Sequence, residues 1–312
     1  MAGKDLLSVA DLTTEDISSL ISEAIDMKAV GWLSVLDRKI LALLFEKPSL
    51  RTRVSFEVAM RQLGGQALYL SPAEVGLGKR EAIPDVARVL SRYVDVIAAR
   101  TFSHETLEIM AKYSDVPVIN ALSDLEHPCQ ALADLLTIFE KKGDLKGLTL
   151  AYVGDGNNVA HSLMLAASLT GMSFRVASPS GYTVQDRLLD LAKGFAVGTG
   201  AELYCTDDPE LAVKGADVVY TDVWTSMGQE AEAEQRRKVF ARYQVTNKLM
   251  TMAREDAIFM HPLPAHHGEE VALGVLDSHW SVVFDQAENR MHLQKAILAR
   301  MLGALDISMP YR

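Results

Sequence analysis

Strand-like runs alternate with helical patterns along nearly the whole chain, and this alternation limits the fold more than any other feature. Residues 39–45 (KILALLF) form a continuous apolar run of the kind that fits a strand covered on both faces. In residues 51–63, Val54, Phe56, Val58, Ala59 and Leu63 then recur at helical spacing. The pairing repeats. Further strands are predicted at 66–70, 94–99 and 117–120, then at 148–153, 173–177, 201–205, 217–221, 257–260 and 281–284, with helices between them. Such a pattern predicts an α/β fold of mainly parallel sheets flanked by helices.

A length of 312 residues suits two doubly wound domains, each with its own core. The best break is 141–147 (KKGDLKG), polar and holding two glycines. We therefore place the first domain at 1–143 and the second at 147–287, with an amphipathic helix at 288–312 returning to the first. No repeat of fixed period and no low-complexity stretch is visible.

In open α/β sheets, ligands bind beyond the carboxyl ends of the strands. The residues just after the predicted strands are polar and specific: Ser49-Leu50-Arg51-Thr52-Arg53, Arg100, Gly154-Asp155-Gly156-Asn157-Asn158, Asp222, and His261-Pro262-Leu263-Pro264. These loops are expected to converge on one cleft between the domains. The first places two guanidinium groups and two hydroxyls at a strand-to-helix junction, where backbone amides and the helix dipole already favour an anion.

A formal net charge of -10 and a pI near 5.3 argue against general nucleic-acid binding, so these arginines are expected to serve a small anionic ligand. Cys129 and Cys205 are too few for a disulfide framework or a cysteine-built metal site, which suits a reducing cytoplasm. No apolar stretch approaches the ~20 residues of a membrane helix, and the N-terminus has no basic start followed by an apolar run. The expectation is a soluble, cytoplasmic protein without membrane or nucleic-acid partners.

Three motifs, SxRTR at 49–53, HPxQ at 127–130 and DxxxSMG at 222–228, stand in an order and spacing shared with one family. Together with the 261–264 loop and Ala287-Glu288-Asn289-Arg290, they resemble the aspartate/ornithine carbamoyltransferase family, most closely its ornithine-acting members. The resemblance covers nearly the whole chain. It implies transfer of a carbamoyl group from carbamoyl phosphate to an amino-acid amine, in a homotrimer that can assemble further. It also implies a carbamoyl phosphate subsite of Ser49, Leu50, Arg51, Thr52, Arg100, His127, Gln130, Pro262, Leu263 and Arg290, with Pro262 and Leu263 acting through backbone carbonyls. An ornithine subsite would comprise Asn158, Asp222, Ser226 and Met227. Attack of an amine on a carbamoyl carbon makes a tetrahedral oxyanion and expels phosphate, so the chemistry calls for preorganised positive donors and no cofactor or metal. Arg51, Arg100 and His127 are the candidate donors.

Two positions depart from the pattern. Ornithine-acting relatives usually carry cysteine in the loop at 261–264, where this chain has Pro262, which offers a carbonyl but neither a side-chain donor nor an amide N–H. Aspartate-acting relatives also have HPLP there, but lack DxxxSMG, so ornithine is the expected acceptor. Gly76 stands where many relatives place glutamine or histidine, leaving Lys79 or Arg80 as candidate replacements.

Plainer readings stand beside these. His127-Pro128 also suits an ordinary helix start, Cys129 a small packed residue, Trp224 core packing, and His266-His267 a polar loop instead of a metal pair. The 154–159 turn (GDGNNV) also resembles a dinucleotide cradle, but its third glycine position is Val159. A nicotinamide-dependent dehydrogenase and a non-catalytic ligand-binding protein remain as other classes. N-modified ornithine, putrescine and aspartate remain as other acceptors.

Overall fold

A computed structural model describes residues 1–77, 80–225, 228 and 230–304. The chain divides into two compact units, Met1–Ala133 with Asn289–Arg312, and Asp134–Glu288.

The first unit carries α1 (Thr14–Val30), β1 (Ile40–Phe45), α2 (Leu50–Gln62), β2 (Gln66–Leu70), α3 (Pro72–Val75), α4 (Ile83–Leu90), β3 (Val96–Arg100), α5 (His104–Tyr113) and β4 (Val118–Leu122), and α6 (Pro128–Lys142) begins in it. Its sheet is parallel, in the order β2-β1-β3-β4. The central β1 is buried almost end to end, as its unbroken apolar run requires, whereas the edge strand β2 is half exposed. Because the chain leaves β1 towards β2 and returns to β1's other side as β3, the order reverses between β1 and β3. Phe45 pairs with Arg100 in that register, so the loop after β1 and the end of β3 lie side by side. This is the switch point at which an open sheet holds its ligand.

The second unit carries the rest of α6, then β5 (Thr149–Val153), α7 (Asn158–Thr170), β6 (Ser173–Ala177), α8 (Asp186–Thr199), β7 (Leu203–Thr206), α9 (Pro209–Val213), β8 (Val218–Tyr220), α10 (Ala233–Phe240), α11 (Asn247–Met250) and β9 (Ile258–Met260); α12 (Val283–Met301) begins in it. The sheet is again parallel, ordered β7-β6-β5-β8-β9, and it reverses between β5 and β8. Tyr152 of β5 pairs with Tyr220 of β8, and their buried rings stack at 5.8 Å. Gly154 and Asp222, each two residues on, therefore emerge at the same level.

One sequence expectation, a strand at 281–284, changes, and the units part between Ala133 and Asp134, inside α6. The buried Asp134 carboxylate explains this: it accepts from Tyr220 Oη at 2.9 Å and Gln286 Nε2 at 2.8 Å, which commits that half of α6 to the second unit. Residues 281–284 form no strand. Only Ser281 bridges Phe259, and α12 starts at Val283 with Asp285 in its first turn. From Asn289 onward α12 belongs to the first unit, where buried Lys295 Nζ donates to Met27 O, Gly31 O and Gln62 Oε1 at 2.9, 2.7 and 3.1 Å.

Candidate active site

In the first unit, Ser49 caps α2 by accepting from the Thr52 amide at 3.3 Å. First-turn amides have no acceptor inside their own helix, so Leu50 and Arg51 present theirs to the switch point. The Leu50 side chain is 76 % exposed and offers little beyond its backbone. Thr52 is buried and accepts from Arg290 Nη2 at 2.6 Å, which brings α12 to the head of α2. Arg53 does not join the cradle. It turns away to Glu57 at 2.8 Å and lies over the Tyr69 ring at 3.8 Å, so the second guanidinium expected from the motif is a helix-surface contact.

Its place is taken by Arg100 and Arg290. Burial, then the nearby Arg290 and Arg51 charges, lower the Arg100 guanidinium to about 10, and burial lowers Arg51 as well. Among the described residues neither Arg51 nor Arg100 has a carboxylate partner, and the buried Arg100 Nε meets no acceptor. Three guanidinium groups thus crowd one sheet end, an arrangement that an anion with several oxygens would neutralise.

His127 is buried at the head of α6, with Gln130 one turn on. Burial, with Arg290 and Arg100 adding to it, holds the imidazole well below its usual range. It is therefore neutral at pH 7, and the positive donor expected at this position is an uncharged N–H donor. The preceding Glu126 fixes this turn, taking Ser8 Oγ on one oxygen and the Val9 amide on the other at 3.1 Å. Cys129 is packed, with burial pushing its thiol up to about 12.

In the second unit, Asp222 follows β8 and is buried. Burial raises its carboxyl above the ordinary range, while hydrogen bonds from Asn157 Nδ2 and the Val223 amide, each 2.8 Å, oppose that rise. Asn158 opens α7, half-buried beside this pair. Ser226 and Met227 lie outside the described residues. Asn157, which is not among the residues expected from the motifs, caps α7, and an asparagine just before an apolar helix is an N-cap signal.

Pro262 and Leu263 follow β9 in the same unit. Leu263 holds a left-handed φ of 52° and donates its amide to His261 Nδ1 at 2.9 Å. That acceptor role leaves the proton on Nε2, which donates to Glu270 Oε1 at 3.2 Å. Such a conformation costs a leucine roughly 1–2 kcal/mol, so the loop is held by its bonds and not by local preference. His266, Glu269 and Glu270 bring ligand-type atoms within 4.8 Å of one another, but Glu269 pairs with Arg237 at 2.9 Å and Glu270 is engaged by His261 and the His266 amide.

The glycine turn is closed to a dinucleotide. A Cβ on Gly156 would lie 2.3 Å from Val184 N, and the Gly156 amide donates to Tyr182 O at 2.8 Å, so chain already fills the space a pyrophosphate would need. Gly76 has a φ of 54°, and a Cβ there would meet the Arg80 Cβ at 2.9 Å. Glycine is thus the residue this loop accommodates. Lys79 lies outside the described residues.

Residues 4–140 match the carbamoyl-P binding domain, and residues 146–301 the Asp/Orn binding domain, of aspartate/ornithine carbamoyltransferases. The chain belongs to this family. Among its members, the ornithine carbamoyltransferase of Thermococcus kodakarensis is 53% identical over 311 residues, covering 98% of this chain and 99% of the relative. That of Bacillus subtilis is 54% identical over 300 residues, covering 96% and 94%. The solved ornithine carbamoyltransferase of Pyrococcus furiosus superposes with a TM-score of 0.94 at 54% identity, covering 97% and 98%. Two parallel-sheet units flanked by helices are therefore the family's architecture. Among the described residues no helix is long and apolar enough to cross a membrane.

Proposed function

We propose that the protein is an ornithine carbamoyltransferase, moving the carbamoyl group of carbamoyl phosphate to the side-chain amine of L-ornithine to give L-citrulline and phosphate. The observation that carries this reading is the cationic cluster of Arg51, Arg100 and Arg290 around neutral His127. Those groups bind the phosphate and polarise the carbamoyl oxygen, so that negative charge developing on it meets donors already in place. Ser49, Leu50 and Thr52 complete the phosphate cradle, and Gln130, with the carbonyls of Pro262 and Leu263, takes the carbamoyl NH2.

Asp222, Asn158, Ser226 and Met227 hold the amino-acid headgroup. The attacking amine must be neutral, and freeing an alkylammonium of pKa ~10.4 of its proton at pH 7 costs roughly 4–5 kcal/mol. Pro262 offers no thiol for this step, so the departing phosphate takes the proton. The reading extends to a homotrimer in the cytoplasm, with no cofactor and no resident metal.

A colorimetric ureido-product assay with carbamoyl phosphate and a panel of ornithine, acetylornithine, putrescine and aspartate tests the assignment. Product from ornithine alone, or from ornithine far above the others, supports it. Preference for another acceptor moves the protein to that reaction, and ligand binding without turnover makes it a binding protein.

A further inference from the structure

The 154–158 turn has a form associated with phosphate cradles, yet Gly156 is packed shut against 182–184. Its polar residues point elsewhere. Asn157 Oδ1 accepts the Val159 and Ala160 amides at 3.0 and 3.1 Å and Tyr152 Oη at 3.2 Å. With its oxygen fixed by the helix start, its amide nitrogen can only face Asp222, where it donates at 2.8 Å. The Val223 amide holds the other Asp222 oxygen.

Asp155 braces the same loop from a second side. Its Oδ2 accepts from Arg236 Nη1 at 2.7 Å, and the same nitrogen donates to Trp224 O at 2.9 Å. Arg236 also donates through Nε to Glu232 at 3.1 Å and lies over the Tyr182 ring at 4.9 Å. Trp224 stacks on Phe240 at 6.0 Å. Asp155 and Arg236 are both buried.

We infer that Asp155 and Asn157 are positioning residues of the acceptor subsite: they use the glycine turn to preset the 222–225 segment, Asn157 by orienting the Asp222 carboxylate and Asp155, through Arg236, by pinning the Trp224 backbone. This rests on the ornithine reading above. The turn's two polar side chains stabilise a protein loop in place of a nucleotide, and the loop so held carries Asp222 with two oxygens already committed on one side. The amino-acid ammonium then meets a carboxylate that need not reorient.

Asn157→Ser retains a helix cap and removes the donor to Asp222 together with the amide oxygen that Tyr152 Oη meets, whereas Asn157→Asp retains both the cap and that oxygen and sets a carboxylate against Asp222. Arg236→Lys keeps the charge but replaces the planar group, whose Nη1 joins Asp155 to Trp224 while its Nε holds Glu232, by a single ammonium that is not fixed at that point. Steady-state kinetics on each, with the inorganic phosphate dissociation constant and the urea midpoint measured in parallel, tests the inference. The expected result is an ornithine KM raised roughly 10-fold or more in Asn157→Ser and Arg236→Lys, and further in Asn157→Asp, with smaller changes in kcat and phosphate affinity unaltered. Wild-type ornithine KM in folded Asn157→Ser and Arg236→Lys overturns it, as does a rise matched by equal loss of phosphate binding. Absence of ornithine turnover in the unmodified protein instead defeats the functional reading.

Discussion

On the proposed reading Arg51 and Asp222 serve different substrates, so their variants should fail differently. Arg51→Ala removes one of three guanidiniums from a site that must desolvate a dianion, a loss of about 2–5 kcal/mol in binding. Phosphate affinity measured by calorimetry should fall at least 30-fold, and near-normal affinity would defeat the assignment. Asp222→Ala should leave phosphate binding intact and abolish ornithine saturation.

His127 makes a prediction in pH. Its folded pKa lies well below the usual 6.5 of a histidine because the imidazole is buried beside Arg290 and Arg100. An unfolded chain therefore takes up a proton near pH 6.5 that the folded one refuses, and stability from neutral His127 is present above that pH and lost as pH falls through it. The ring resonances of His127 should show no titration near pH 6.5, and a His127→Gln variant should lose less stability than wild type between pH 7 and 5.5. A normal titration curve for His127 would remove both the neutral-donor role and this slope.

At the scale of elements, Lys295 joins three helices of the first unit. Its ammonium takes carbonyls at the end of α1 and the Gln62 amide oxygen at the end of α2, where unsatisfied acceptors and the helix dipoles favour a cation. Lys295→Met keeps the apolar stem but leaves those buried acceptors unmet, at a cost of roughly 2–4 kcal/mol. Urea unfolding followed by circular dichroism should show it as a lower midpoint with an unchanged slope. This contact was not legible in the sequence: an apolar periodicity says that 288–305 is a helix, but a single lysine within it reads as solvated.

Across the whole molecule, legibility follows the range of the forces involved. Continuous apolar runs marked the strands because burial on both faces is a local compositional demand, and β6 at Ser173–Ala177 matches its predicted span. The boundary at Asp134 and the turning away of Arg53 depend on partners distant in sequence or on the choice between an anion and Glu57, and no local pattern records those. The candidate subsites were legible as motifs, while Asn157 and Arg236, which act through other residues, were not.

The same division of labour predicts where a ligand is felt. Inorganic phosphate should contact only groups of the first unit: the α2 amides, Arg51, Arg100, His127 and Arg290. A ligand at 100 times its dissociation constant stabilises the state it binds by about 2.7 kcal/mol, and amides whose exchange requires opening of that site slow accordingly. Hydrogen exchange with saturating phosphate should therefore slow at 49–53, 100–101 and 127–131 while leaving 153–160 and 220–225 unchanged. Ornithine added to that complex should then slow the second group. Protection of both groups by phosphate alone would mean that the anion site draws on the second unit as well, and the phosphate cradle would have to be redrawn.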